Sequence, residues 1–488
     1  MKVGAEVSKR FVTNVVGTLA AFLGTFFFTR ELGFDGIGVY AIFLSLQMIA
    51  ANVSSFGLYS VVVKRVSEGS DEARHFTSGV LILLAGVVAV AVVVVPLRGF
   101  INSILNVEAA FFVPLGVLSW GLFRLSGSFL EGKQRVALVG AIENGRYALI
   151  VPIQTVLVLD GYGVKGLIWG LVVGQFLTFL VSYVGFARVV PARPSRGLFR
   201  EFVDYSKYAY VKSVSSQLFK QADYLLLGQF VGTGVTGVYK NVFTLTEASM
   251  LFSSALAQVA FPQFSALTEA GDDEEVGRLL GVLFTYAGVF AVPILGGGAV
   301  VGNALLLTLY GQSAGSTVLP VVGVVGLANA LVPVLAAANL LNGYREGLEK
   351  FFLGTGKPKL YAVSGLLLIV VYSALVVPLT VWYGSWGTAW ATVVAFGASV
   401  GAMFFMLEEP VPPSALGDVG RQVAATLVMT GVVYGLKLQF GGASGAVRLG
   451  VLLGVGATTY FAVLFTLSER IRIDAVAVAR DLRNMMLS

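Results

Sequence analysis

The 488-residue chain contains no cysteine and a single histidine, His75. Disulfides, thiolate nucleophiles and Cys/His metal sites are therefore excluded, and with one imidazole so is most triad and transition-metal chemistry. Charge is also scarce. Asp, Glu, Lys and Arg together make up 12% of the residues, against about 25% in an average soluble domain, and this excludes a soluble enzyme. There is no Gly-rich loop ending in Lys-Ser or Lys-Thr, so direct ATP hydrolysis is not expected.

What the chain has in abundance is apolar surface: 56% of its residues are hydrophobic and its mean hydropathy is +0.84. A membrane-spanning helix takes about 20 apolar residues, and runs of that length lie near 11–29, 39–63, 77–96, 109–130, 136–159, 164–187, 208–231, 236–261, 279–309, 317–341, 360–381, 385–407, 419–440 and 446–467. The expectation is an all-α polytopic membrane protein of about 14 transmembrane helices. The runs are continuous rather than alternating, which argues against a barrel. The ninth is long enough to be tilted, or broken at Gly296, Gly297 and Gly298. Lys2, Lys9 and Arg10 precede a first run too long for a signal-peptide core, so it reads as the first membrane helix.

Basic residues set the orientation. Of 33 Lys and Arg, 23 fall in segments on one side and 5 on the other, with 5 inside spans. This predicts a multi-pass protein of the cell membrane with both termini cytoplasmic. The net charge of +6 then reflects topology and attraction to membrane lipids, not nucleic acid. Three further features read as bland. Asp272-Asp273-Glu274-Glu275 is expected to be a solvated loop, His75 to be exposed, and 471–486 to be a short amphipathic helix on the inner surface.

Short patterns recur along the chain. Gly38-Val39-Tyr40 returns as Gly237-Val238-Tyr239, Gly163-x-x-Gly166-x-x-Trp169-Gly170 as Gly384-x-x-Gly387-x-x-Trp390-Ala391, and the turn Gly132-Lys133 as Gly356-Lys357. Glycine spacing of this sort is common where membrane helices pack closely, but three matches in register point to a parallel repeat. The expected organisation is one six-helix lobe over 1–190, a second over 191–410, and two additional helices with a cytoplasmic tail over 411–488. Two equivalent lobes are the architecture that alternating access needs.

Several stretches carry a family resemblance. Thr29-Arg30-Glu31-Leu32-Gly33 leads into Gly36-x-Gly38-x-Tyr40, then Phe56-Gly57-Leu58 and Lys64-Arg65. Later come Ala222-Asp223-Tyr224-Leu225-Leu226-Leu227-Gly228, Pro262-Gln263-Phe264-Ser265 and Gly356-Lys357-Pro358-Lys359. In order and spacing these resemble Wzx-type oligosaccharide flippases, of the superfamily of multidrug/oligosaccharidyl-lipid/polysaccharide exporters that also holds the MATE and MurJ groups. The turn after Gly33 departs from the family in having Phe34 where proline is common. The resemblance implies translocation of a lipid-linked oligosaccharide, on a polyprenyl phosphate or diphosphate, from the cytoplasmic to the outer leaflet for surface polysaccharide or protein glycosylation. The alternative on the same fold is a sodium- or proton-coupled multidrug exporter. Glycosyltransferases or a polymerase of the same pathway are expected partners; no catalytic residue, cofactor or metal is.

Charges inside spans cost about 2.5–3.5 kcal/mol at a helix centre, so their placement is informative. The intramembrane cations are Arg124, Arg146, Lys212, Lys220 and Lys240, with Glu143, Asp223 and Glu247 as the nearby acids. In the seventh span Ser213, Ser216, Gln217, Lys220, Asp223 and Tyr224 share a face, which either lines a cavity or docks through a Lys220–Asp223 pair. Glu143 and Arg146 are close enough in sequence to pair likewise. Phosphate oxygens would take charge-assisted bonds from Arg and Lys, and sugar hydroxyls would bond Gln, Asn, Ser and Tyr. The substrate-binding candidates are thus Arg146, Lys220, Asp223, Gln217, Arg30, Arg65, Lys240 and Arg124, with snorkelling to the interface the competing role for Arg124 and Lys240. Glu247 and Glu143 are the ion-coupling candidates.

Overall fold

The computed structural model describes residues 2–69, 71–194, 214, 216–319, 323–407, 411–440 and 445–474. The helices are α1 (Lys2–Ser55), α2 (Leu58–Ser67), α3 (Glu72–Val94), α4 (Arg98–Leu105), α5 (Phe112–Gly132), α6 (Val136–Gly145), α7 (Tyr147–Leu157) and α8 (Gly163–Ser182). They continue with α9 over 216–230, then α10 (Thr233–Glu247), α11 (Met250–Ala270), α12 (Asp273–Tyr310), α13 (Leu327–Gly354), α14 (Pro358–Phe405), α15 (Pro413–Gln439) and α16 (Ala446–Leu467). The chain is an all-α multi-pass membrane protein, and among the described residues ten helices are long and apolar enough to cross a bilayer. Three of these stretches, 20–55, 136–187 and 358–405, each cover two of the 14 expected spans, and the seventh expected span, 208–231, lies partly outside the described residues. Lys212 and Ser213 lie outside the described residues, as does the expected surface helix beyond Asp474.

Glycines make those bends. Gly33 interrupts α1 at φ 73°, ψ 177° and Gly384 interrupts α14 at φ 59°, ψ −142°. Gly163 opens α8 at φ 56°, ψ −136°. The last two belong to the repeated Gly-x-x-Gly-x-x-Trp stretch and share one backbone conformation, in a region open essentially to glycine alone. The repeat is thus structural as well as textual. The repeated turn is real too, but in a different register. Lys133 (φ −78°, ψ 11°) and Arg135 (φ −92°, ψ 46°) match Thr355 (φ −85°, ψ 10°) and Lys357 (φ −107°, ψ 48°). Between them Gln134 and Gly356 both have positive φ. Gly132-Lys133 therefore corresponds to Gly354-Thr355, two residues before the textual match.

Two expectations are corrected, for the tenth span and for His75, and one alternative, a break in the ninth span, is excluded. The tenth span begins at Leu327, because Ser316–Leu319 and Gly323–Gly326, rich in β-branched residues, pair as a short antiparallel hairpin. The ninth is the continuous helix α12: Gly296 and Gly298 pack against Thr430 and Val332 instead of breaking it. His75 is buried on α3.

The chain divides into two compact units, Met1–Lys240 and Asn241–Ser488. In the first, Val39, Ile42, Phe43, Leu105, Val113 and Ile168 form the main apolar cluster. Here the two Gly-Val-Tyr stretches meet. A Cβ on Gly38 would lie 1.8 Å from the Thr233 carbonyl oxygen, and one on Gly237 would lie 1.8 Å from that of Phe34. Each oxygen belongs to the residue four positions before the opposite glycine, so α1 and α10 cross backbone to backbone, and Thr233 donates to Asp35 at 2.8 Å beside the crossing.

In the second unit Phe264, Leu280, Phe351, Phe352 and Met403 form the core. The two last helices dock on α12 through a separate cluster including Val289, Val301, Met429, Leu452 and Tyr460. One seam of that contact is polar. Asp418, Gln422, Thr426 and Thr430 recur every fourth residue on α15. Gln422 donates to the Thr285 carbonyl at 2.8 Å and its Oε1 sits against Gly288. Asp418, 1% exposed, accepts from Arg421 at 2.7 Å and Ser468 at 2.9 Å.

Candidate functional site

The densest group of expected site residues lies in the first unit where α5 faces the α6–α7 junction. Trp120, Phe123 and Arg124 fall at helical spacing on one face of α5. Opposite, α6 ends at Gly145, which leaves Arg146 in the turn between two helices and Tyr147 at the start of the next. The Arg146 guanidinium lies 4.8 Å from the Tyr147 ring centroid, 5.3 Å from that of Trp120 and 5.7 Å from that of Phe123. It also donates to the Tyr147 hydroxyl at 3.1 Å. Ring faces attract a guanidinium without neutralising it, and among the described residues no carboxylate lies within ion-pair distance of Arg146. It is half-buried, a cation held in place and still able to accept an anion.

Glu143 does not pair with Arg146, as sequence spacing suggested. It takes a short charge-assisted bond from Arg124 across the helices, and the Arg124 guanidinium lies 5.8 Å from the Tyr59 ring centroid. Arg124 is thus an ion-pair partner. Arg124 and Glu143 line one crevice, and Arg146 follows Glu143 by three residues at the junction of α6 and α7.

The seventh-span stripe divides. The Tyr239 hydroxyl donates to Asp223 at 2.6 Å, Tyr224 meets Tyr239 edge to face, and Lys240 lies 5.5 Å from the Tyr224 ring centroid. Among the described residues Lys220 and Asp223 do not form the ion pair that is one of the two alternatives for this stripe. Lys220 is exposed on α9 and Gln217 half-buried, one turn apart. Arg30 is exposed over the Phe26 ring at 5.6 Å, and Arg65 pairs with Glu68 at 2.6 Å. Glu247 is not deep in a helix: it is the exposed last residue of α10, before the break to α11.

Two groups escaped the sequence reading. One is the aromatic cage, whose members Trp120 and Tyr147 stand on different helices. The other is a charged cluster on α13 in the second unit. Arg345 pairs with Glu349 at 3.6 Å and donates to Asn342 at 3.1 Å, while Ser254 donates to Glu346 at 2.6 Å. These residues read as a cytoplasmic loop because the apolar run stops at Leu341. The Arg345–Glu349 spacing of four, with buried Leu348, Phe351 and Phe352 beyond, carries the helical signal. Among the described residues no group of three or more carboxylates or imidazoles could hold a metal ion.

Comparison with known proteins is consistent across the chain. The profile of a family described as polysaccharide biosynthesis protein matches residues 27–318. Two Haloferax volcanii proteins are similar over nearly their whole length. The "probable low-salt glycan biosynthesis flippase Agl15" is 25% identical over 436 residues, 89% of each chain. The "probable flippase AglR" is 24% identical over 486 residues, 96% of this chain and 97% of that one. Among solved structures, the lipid II flippase MurJ in an inward closed conformation superposes with a TM-score of 0.74, covering 93% of this chain and 97% of that chain at 14% identity. An inward-facing multidrug resistance transporter of the MATE family reaches 0.57, covering 84% and 95% at 13% identity. These two establish the fold.

Proposed function

The chain belongs to the polysaccharide biosynthesis protein family, and from that premise we propose that it is a flippase, not an enzyme, which carries a lipid-linked oligosaccharide from the cytoplasmic to the outer leaflet by alternating access. Its named relatives support this, both being described as flippases over lengths that match almost all of this chain. The product would feed a surface polysaccharide or protein glycosylation. In this reading the protein sits in the cell membrane with both termini cytoplasmic, is built from two six-helix lobes and two additional helices, and works beside the glycosyltransferases that supply its substrate.

The observation that carries the reading to particular residues is Arg146. A phosphate or diphosphate joins the lipid to the glycan, and that anion cannot cross hydrocarbon unaided. A guanidinium held by Trp120, Phe123 and Tyr147 with no carboxylate against it among the described residues supplies a fixed cation for phosphate oxygens. Exposed Lys220 and its neighbour Gln217 are the next contacts in this assignment, with Arg30, Arg65 and Lys240 along the path and Glu247 as a coupling residue. The drug-exporter alternative shares the fold, but two guanidiniums against one carboxylate where α5 faces α6 and α7 disfavour a cationic substrate.

The test is lipid analysis of a deletion strain. Lipid-linked oligosaccharide should accumulate on the inner leaflet and be cleared by the wild-type gene but not by Arg146→Ala present in the membrane at normal abundance. Absence of the accumulated lipid, together with new sensitivity to cationic drugs, would replace the flippase with the exporter.

A further inference from the structure

Two guanidiniums lie where α5 faces α6 and α7, and among the described residues only one of them is paired with a carboxylate. Arg146 and Glu143 are one helical turn apart on one side, and Arg124 directly follows Phe123, a wall of the Arg146 cage, on the other. Glu143 is committed to Arg124, and the side chains of the pair are 33% and 29% exposed. Beside the pair is a crevice lined also by Gly127, Val139, Ile142 and Ser182, too tight in this state for a water molecule. Ser182 is 1% exposed, faces that crevice, and among the described residues its hydroxyl has no hydrogen-bond partner. The buried hydroxyl of Tyr59, whose ring underlies Arg124, has none either. A carboxylate engages the guanidinium and leaves these two donors idle. A phosphate group, with more acceptor oxygens set tetrahedrally, can take the guanidinium and a hydroxyl together.

We infer that Glu143 is a resident counter-ion, which holds Arg124 until the second phosphate of a lipid diphosphate displaces it. Arg146, with no carboxylate to release, takes the first phosphate, and Arg124 takes the second only as Glu143 leaves. The groove thereby distinguishes diphosphate from monophosphate carriers, and Glu143 is a specificity-determining residue that keeps the second site shut while no substrate is present. This rests on the flippase reading above.

The full-length protein in nanodiscs of neutral lipid is titrated with farnesyl monophosphate and farnesyl diphosphate, and the ratio of the two affinities is the readout. Wild type should prefer the diphosphate. Glu143→Gln should raise the preference about tenfold, the scale of one charge-assisted bond no longer contested. Arg124→Gln should abolish the preference, and in the double variant Glu143→Gln should no longer raise it. Glu143→Asp, which keeps the counter-ion, should stay near wild type and exclude a folding artefact. An unchanged or reduced preference in Glu143→Gln, while Arg146→Gln still weakens both ligands, overturns the counter-ion and leaves the flippase reading standing. If neither ligand binds wild type more tightly than Arg146→Gln, the phosphate-binding groove itself is wrong and the counter-ion falls with it.

Discussion

The crossing of α1 and α10 allows a magnitude to be worked from geometry. Alanine at Gly38 would bring its Cβ to 1.8 Å from the Thr233 carbonyl oxygen, whereas ordinary contact begins at 3.4 Å, so the helices must part by 1.6 Å. Neither atom can swing away, since one belongs to a backbone carbonyl and the other is fixed to Cα. Separation on that scale also stretches the 2.8 Å bond from Thr233 to Asp35 past hydrogen-bonding range. Overpacking costs about 1–3 kcal/mol and the lost bond about 1, for a total of about 2–4 kcal/mol. For a unit of this size that corresponds to a fall of about 5–10 °C in Tm. Tryptophan-fluorescence melting of the detergent-purified protein measures it. Gly237→Ala should behave alike, because the contact is reciprocal. Gly365→Ala on α14, where an added Cβ meets nothing within 4 Å, should lose nothing and gain up to about 1 kcal/mol from helix propensity. A Gly38→Ala melt within about 1 °C of wild type would refute the reasoning, since overpacking of even 1 kcal/mol predicts a larger fall.

Other expectations follow from single residues. Ala at Gly163 or Gly384 must adopt a conformation that costs about 1–3 kcal/mol in a residue with a Cβ, so both variants should melt lower, by similar amounts. Arg146→Lys keeps the charge but loses the planar contact with three rings, so complementation of the deletion strain should be partial where Arg146→Ala gives none. Asp418→Ala leaves the buried Ser468 hydroxyl without its acceptor and should cost about 1–3 kcal/mol, read as a lower melt, while Arg421→Ala, which strands the buried Asp418 carboxylate without its counter-ion, should cost at least as much.

Much of the fold was legible because a bilayer imposes one length and one polarity on every crossing segment. The range 446–467 coincides with α16, and the Gly-x-x-Gly-x-x-Trp repeat marked two positions that share a backbone conformation. What hydropathy blurs is where a helix bends without ending, as at Gly33 and Gly384, and where it continues after its charges begin. Arg345, Glu346 and Glu349 ended a window but not a helix, since each finds a partner among its neighbours. The site was legible as a set of residue types and illegible as a set of pairs. Spacing alone joined Glu143 to Arg146 and Lys220 to Asp223, because residues three apart share a helix face. The partners turned out to be Arg124 and Tyr239, brought in by other helices. The Trp120 cage needed the same tertiary knowledge.

The seam between α12 and α15 also governs how the molecule can be taken apart. Gln422 turns its Oε1 toward Gly288 and Thr430 its Oγ1 toward Gly296 of α12, and among the described residues those oxygens have no conventional hydrogen-bond partner. Weak C–H donors on the glycines are what remains for them, and hydrocarbon offers still less. A gene severed between α14 and α15 and expressed as two polypeptides should therefore reassemble in the membrane: the smaller fragment carries a polar stripe that finds its match on α12 and nowhere in lipid.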